Sequence, residues 1–150
     1  MKLSTSVKVH APKEEVWAVI TDWDKTADVI SGITDLTVLE RPESGLTGLK
    51  WKETRIMFGK EATETMWIVD AQPNDYYKVR AESHGSVYLS GMSVQDSEEG
   101  CELTMSFEAQ PQTFMAKVMG VLMGGFMRKS VMKACHQDLL DIKAYVESRN

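Results

Sequence analysis

A chain of 150 residues has the size of one ordinary domain and is long enough to bury a substantial core. Its formal net charge of −5, with mixed signs and no basic stripe interleaved with aromatics, excludes a general nucleic-acid binder. No internal repeat or low-complexity segment divides it, so one domain over 1–150 is expected.

Met1-Lys2-Leu3-Ser4-Thr5 runs straight into an alternating pattern and lacks the apolar core of a signal peptide, which makes the cytoplasm the expected compartment. From Lys2 to His10, Leu3, Thr5, Val7 and Val9 share one face and polar residues the other, as in a strand wet on one side. Ala11-Pro12 ends it. Pro12 suits the first turn of a short helix whose apolar face is Val16, Trp17, Val19 and Ile20, with Glu14 and Glu15 at its positive end. Between Trp23 and Ile30, Asp24 is placed to cap a second short helix ahead of the Ser31-Gly32 turn.

Six successive strands are then predicted: Ile33–Glu40, Leu49–Phe58, Glu61–Asp70, Tyr76–Ser83, Val87–Gln95 and Cys101–Ala109. Turn chemistry separates them, notably Gly59-Lys60, Gln72-Pro73-Asn74-Asp75 and His84-Gly85-Ser86. The last strand alternates most cleanly, with Cys101, Leu103, Met105, Phe107 and Ala109 on one face.

A long helix is predicted from Pro111 to Val146, with a stripe at alternating steps of four and three running from Phe114 and Val121 to Cys135, Leu139, Ile142 and Val146. A second apolar row, Met115, Met119, Leu122, Met123, Phe126 and Met127, widens the first half, whereas Lys133, Gln137, Asp138, Asp141 and Lys143 make the second half polar outside the stripe. Gly120, Gly124 and Gly125 weaken the helix and imply a close approach or a bend. The apolar run Val118–Met127 is too short to cross a bilayer, which takes roughly 20 residues, and reads as a buried helix with an amphipathic surface helix as the alternative. Strand, two short helices, six strands and a long helix define an α+β domain in which a curved antiparallel sheet wraps the helix, leaving a space between them.

Strand parity nominates what faces that space. Trp51, Glu53, Arg55 and Met57 share a face: either the strand lies at an edge with its charges solvated, or Glu53 and Arg55 enter the interior and need each other or a polar ligand group. Tyr77 and Tyr88 bring apolar rings with hydroxyls that either orient a guest or reach solvent. Met92 joins them, Met105 and Phe107 follow from the last strand, and Met119, Met123 and Phe126 from the helix. Methionines suit either a gap-filled core or a variable ligand wall. His84, in a turn, is the best general base by intrinsic pKa, with Glu53 and Tyr88 as further catalytic candidates. Cys101 and Cys135 read as reduced and buried, no histidine pair has metal-ligand spacing, and no cofactor motif occurs, so neither metal nor cofactor is expected.

The opening strand followed by Val9-His10-Ala11-Pro12-Lys13-Glu14-Glu15-Val16-Trp17, then Asp22-Trp23, Gly48 before a strand, Asp70-Ala71-Gln72-Pro73 between strands and Gly100 before the last one, resembles the START-like (SRPBCC, Bet v 1-like) superfamily in its polyketide cyclase/dehydrase branch. The resemblance implies a helix-grip fold, seven antiparallel strands gripping the C-terminal helix around a deep apolar cavity. Fold alone does not choose among functions. The expected one is binding of a small hydrophobic molecule of lipid, polyketide or aromatic type. The alternatives are a cyclase or dehydratase using the same cavity, or a protein whose methionine-rich helix meets a membrane or a partner; a monomer or homodimer without a transmembrane segment fits each.

Overall fold

The faces read from alternation become the two faces of one sheet in the computed structural model, which describes residues 1–57 and 59–149. The chain runs β1 (Lys2–Val9), α1 (Lys13–Ile20), a 3₁₀ turn (Trp23–Lys25), α2 (Thr26–Val29), β2 (Ile33–Glu40), β3 (Lys50–Met57), β4 (Lys60–Gln72), β5 (Tyr76–Ser83), β6 (Ser86–Ser97), β7 (Gly100–Pro111) and α3 (Phe114–Ser148). The seven strands form one antiparallel sheet in the order β1-β7-β6-β5-β4-β3-β2, curled round α3 in the helix-grip arrangement. Register shifts between Ile33 and Asp35, Val38 and Glu40, and Ile68 and Asp70 interrupt the ladders of β2 and β4, and irregularities of this kind help a sheet to curl.

The core is built from the faces parity assigned inward. Val9, Val16, Trp23, Ile68 and Leu103 pack with Leu139, Ile142 and Val146, so the second half of α3 is held from both sides. Close approach at the sheet's end depends on Gly100, whose φ of +150° and missing side chain let the β6–β7 turn sit against the Val9 and Ala11 backbones. The β1 edge is covered by α3: Arg128 Nη1 donates to the Lys2 carbonyl (2.6 Å), Lys143 Nζ to the Lys8 carbonyl (2.6 Å), and Thr5 Oγ1 hydrogen-bonds His136 Nδ1 (2.8 Å).

Several elements depart from the sequence expectation. Pro111 ends β7 instead of opening the helix, which starts after Thr113, whose side chain accepts from the Ala116 amide at 3.1 Å. Asp24 caps nothing; it sits inside the 3₁₀ turn and pairs with Arg41 at 2.8 Å. Phe58, the predicted end of β3, lies outside the described residues. Gly120, Gly124 and Gly125 permit no close contact, because a methyl at any of them would meet nothing within 4 Å. Most important, the first half of α3 is exposed. A strict seven-residue repeat drifts by about 20° per heptad on a straight helix, so the stripe that buries Leu139 and Val146 carries Val121 and Phe114 out to solvent. No described helix is long and apolar enough to cross a membrane.

Candidate functional site

Because α3 packs on the sheet only through its second half, its first half stands off and roofs a cavity of about 930 Å³. The buried lining residues, including Trp23, Trp51, Glu53, Tyr77, Met92 and Asp138, mark the floor. Exposed ones, His84, Thr113, Met115, Met119 and Met123, mark the mouth. Most of the wall is apolar.

The floor holds one polar cluster. β3 alternation points Trp51, Glu53 and Arg55 inward, and one turn of α3 brings Asp138 opposite them. Trp51 Nε1 donates to Glu53 Oε1 at 2.9 Å, Arg55 Nε to Glu53 Oε2 at 3.2 Å, and Arg55 Nη1 and Nη2 to Asp138 Oδ1 and Oδ2 at 3.1 and 2.6 Å. Glu53 and Asp138 are only 7% and 4% exposed, which such charges tolerate only when paired this way. Burial alone would lower the Arg55 pKa, but its two carboxylates outweigh that and hold it above its ordinary value. Asp138 moves up as well, because its own desolvation exceeds what Arg55 returns and Glu53 adds repulsion. The edge-strand alternative for Glu53 and Arg55 is therefore overturned: β2 covers that edge and the charges face inward.

Beside the cluster, Trp23 packs against Trp51 and Tyr77 with ring centroids 5.3 and 5.5 Å apart, and Trp17 meets Tyr77 edge-on at 6.0 Å. Burial first, then Glu53 and Asp138, raise the Tyr77 pKa, so its phenol is a neutral group near neutral pH with still less tendency to ionise than an ordinary tyrosine. Higher up, Tyr88 stacks on Phe107 at 5.8 Å, and Met105 of β7 pairs across the sheet with Met92 of the floor. Glu64, directly opposite Glu53 on β4, also lines the cavity, so the wall near the floor carries three carboxylates to one guanidinium. Cys135 faces the same space, its thiol pushed up to about 11, chiefly by burial.

Of the residues nominated by sequence, Trp51, Arg55, Tyr77, Tyr88, Met92 and Met105 line the cavity, as do Phe107, Met119 and Met123. Phe126 does not; it lies on the outer side of α3, 60% exposed. The catalytic candidates separate: Glu53 is on the floor, Tyr88 in the wall, and His84 at the mouth, where it hydrogen-bonds Ser83 Oγ at 2.6 Å. His84 and Gly85, both at positive φ, form the tight β5–β6 reversal, and the Gly85 carbonyl accepts from the Gln112 amide at 2.8 Å, tying that hairpin to the start of α3. Sequence reasoning missed Asp138 and Trp23. Asp138 follows Gln137 in a polar run, and only its place one position before Leu139 of the buried stripe hinted at burial. Among the described residues no group of three or more His, Cys, Asp or Glu is arranged to hold a metal ion.

Residues 1–147 match the family model for polyketide cyclase / dehydrase and lipid transport. A search of curated proteins finds no significant match. Among solved structures, TTHA0849 from Thermus thermophilus superposes with a TM-score of 0.84 at 12% identity, covering 100% of this chain and 99% of that one. The Zhui aromatase/cyclase from Streptomyces sp. R1128 gives 0.76 at 17% identity over 99% and 94% of the two chains. A START superfamily protein from Mycobacterium smegmatis gives 0.74 at 14% identity, covering 99% of each. At these identities the likeness is one of fold.

Proposed function

Taking as premise that the chain belongs to the polyketide cyclase / dehydrase and lipid transport family, we propose that it binds a small, largely apolar molecule whose buried end donates hydrogen bonds. The observation carrying this reading is the cavity itself, about 930 Å³ with a polar floor and a mostly apolar wall. That volume lies at the upper end of the range for small-molecule sites, and burial of ligand carbon at roughly 25 cal/mol per Å² supplies the driving force. The polar floor orients the guest. Glu53, Glu64 and Asp138 outnumber Arg55, so a carboxylate pushed to the floor meets net repulsion, whereas a hydroxyl or phenol finds acceptors there and a donor in Tyr77.

Native mass spectrometry of the purified protein against its denatured mass tests this. A releasable apolar adduct supports the reading. Matched probes then test the polar end: decanol is expected to displace a fluorescent apolar reporter at lower concentration than decanoate. Equal displacement, or preference for decanoate, would remove the donor assignment, and failure of both to displace would remove the cavity as a binding site.

Catalysis on the same guest, of cyclase or dehydratase type, is the second reading. It is favoured by Glu53, Tyr77 and Tyr88 lining one cavity. It is opposed by the engagement of both Glu53 oxygens as acceptors, which leaves that group poorly placed as a base. Single substitution of Glu53, Tyr88 and His84 decides it: unchanged turnover of a converted substrate in all three would end the catalytic assignment.

A further inference from the structure

The first half of α3 carries an exposed apolar pattern that reaches from the cavity mouth onto the outer side of the helix. The four most exposed large apolar side chains of the described residues, Val121 (85%), Phe114 (78%), Leu122 (74%) and Met115 (68%), all fall within about 13 Å of helix. Elsewhere such residues are scattered along other elements, as with Leu39, Ile56 and Val69, and need no explanation. Here they are concentrated in the first turns of the longest helix.

The charges around them are one-sided. From Ala109 to Gln137 the sequence holds Lys117, Arg128, Lys129 and Lys133 and no aspartate or glutamate, in a chain whose formal net charge is −5. All four cations are exposed. Helical spacing orders them: Met115 at the cavity mouth, then Leu122, Lys129 and Lys133 follow at steps of seven, seven and four, hence along one exposed side of the helix. That side is apolar at the tip and cationic about 10 Å further along. The first acidic residue of the helix, Asp138, points inward to Arg55.

We propose that the first half of α3 docks on a membrane surface rich in anionic lipid, its tip entering the acyl boundary and its lysines lying among the headgroups. An apolar segment entering about 5–10 Å with flanking cations is how interfacial helices bind, and each lysine or arginine near an anionic surface strengthens binding about fivefold. Charge disfavours a second copy of this chain as the occupant: a two-fold interface on this patch sets the same cations against each other without an acid to neutralise them. Met115 and Val121 also line the cavity, so docking presents the mouth to the bilayer. The proposal stands on the surface alone and does not require the ligand reading above.

Flotation of the full chain with vesicles tests it, using phosphatidylcholine alone and phosphatidylcholine mixed two to one with phosphatidylglycerol. The expected result is flotation with the mixed vesicles at low salt, release at high salt, and little association with phosphatidylcholine alone. Replacing Lys129 and Lys133 together by Gln is expected to weaken binding on the order of twentyfold. Leu122→Asp is expected to abolish it while leaving the circular-dichroism melt unchanged, since that side chain is mostly in solvent. No flotation with anionic vesicles at low salt, equal flotation with both compositions, or lysine variants floating like the parent would each overturn the proposal. So would sedimentation as a dimer that Leu122→Asp converts to monomer, which assigns the face to a second copy.

Discussion

Arg55 on β3 and Asp138 on α3 lie 83 positions apart and close two hydrogen bonds, Nη1 to Oδ1 at 3.1 Å and Nη2 to Oδ2 at 2.6 Å, that fasten the sheet to the helix at the cavity floor. With Glu53 also on Arg55, the cluster is two carboxylates sharing one guanidinium. Its members are therefore unequal. Arg55→Met leaves two buried carboxylates without a counterion and is expected to cost about 3–5 kcal/mol at neutral pH. Asp138→Asn leaves the Arg55–Glu53 pair electrically balanced and is expected to cost only about 1 kcal/mol. Urea unfolding of both variants checks the order; equal losses would mean the excess negative charge has no energetic effect.

Gly32 is the second lever on this pair. A methyl group there would stand 3.1 Å from Arg55 Nη1 and 3.8 Å from Asp138 Oδ1, tighter than ordinary contact with the first. Arginine often yields to such pressure, but this one is held by two partners. Gly32→Ala is expected to destabilise by about 1 kcal/mol and to weaken displacement of the apolar reporter by decanol, as overpacking beside a fixed group does. An unchanged unfolding midpoint would show that the guanidinium moves aside freely.

Strand parity makes much of this site legible in the sequence. Tyr77, Val79 and Ala81 face inward and Lys78 and Glu82 outward, because a side-chain period of two leaves no third choice once one face is polar. The same rule carries Glu53 and Arg55 inward with Trp51. What parity does not supply is the partner across the space: Asp138 comes from a helix whose rotation relative to the sheet is set by tertiary packing. Nor does an apolar stripe say whether anything covers it. Met115, Met119, Met123 and Met127 line the cavity while Leu122, of equal hydrophobic character and on the same turns, faces solvent. Cavity size is beyond the sequence too, since an inward Trp51 can fill such a space; it does not, because its indole N–H is held by Glu53 and its ring lies against Trp23.

The pH dependence of stability follows from Asp138. Its pKa is raised in the folded protein by burial, so between its unfolded and folded pKa values the folded state holds more protons than the unfolded one. Stability from this group is present below the unfolded value and lost as pH rises through the folded one. Asp138→Asn removes the titration. The stability of the parent minus that of the variant is therefore expected to fall as pH rises above the ordinary carboxylate range, measured by urea unfolding at each pH. A difference that grows with pH would mean that pairing with Arg55 outweighs burial.

Gly124 separates stability from binding. It lies in the roof of the cavity, where a methyl would meet nothing within 4 Å, and inside a helix, where glycine is worse than alanine by about 1 kcal/mol. Gly124→Ala is therefore expected to raise stability by up to about 1 kcal/mol with binding little changed, since one methyl takes a small part of the space. Gly124→Leu keeps most of the helical gain but extends a branched side chain from the cavity-lining side of α3. Adduct occupancy by native mass spectrometry, or displacement of the reporter by decanol, is expected to drop while the urea midpoint stays at or above that of the parent. A Gly124→Leu variant that binds as the parent does would place the guest away from the α3 roof, against the sheet, and a lowered midpoint would mean that the roof closes more tightly than the open space around Gly124 indicates.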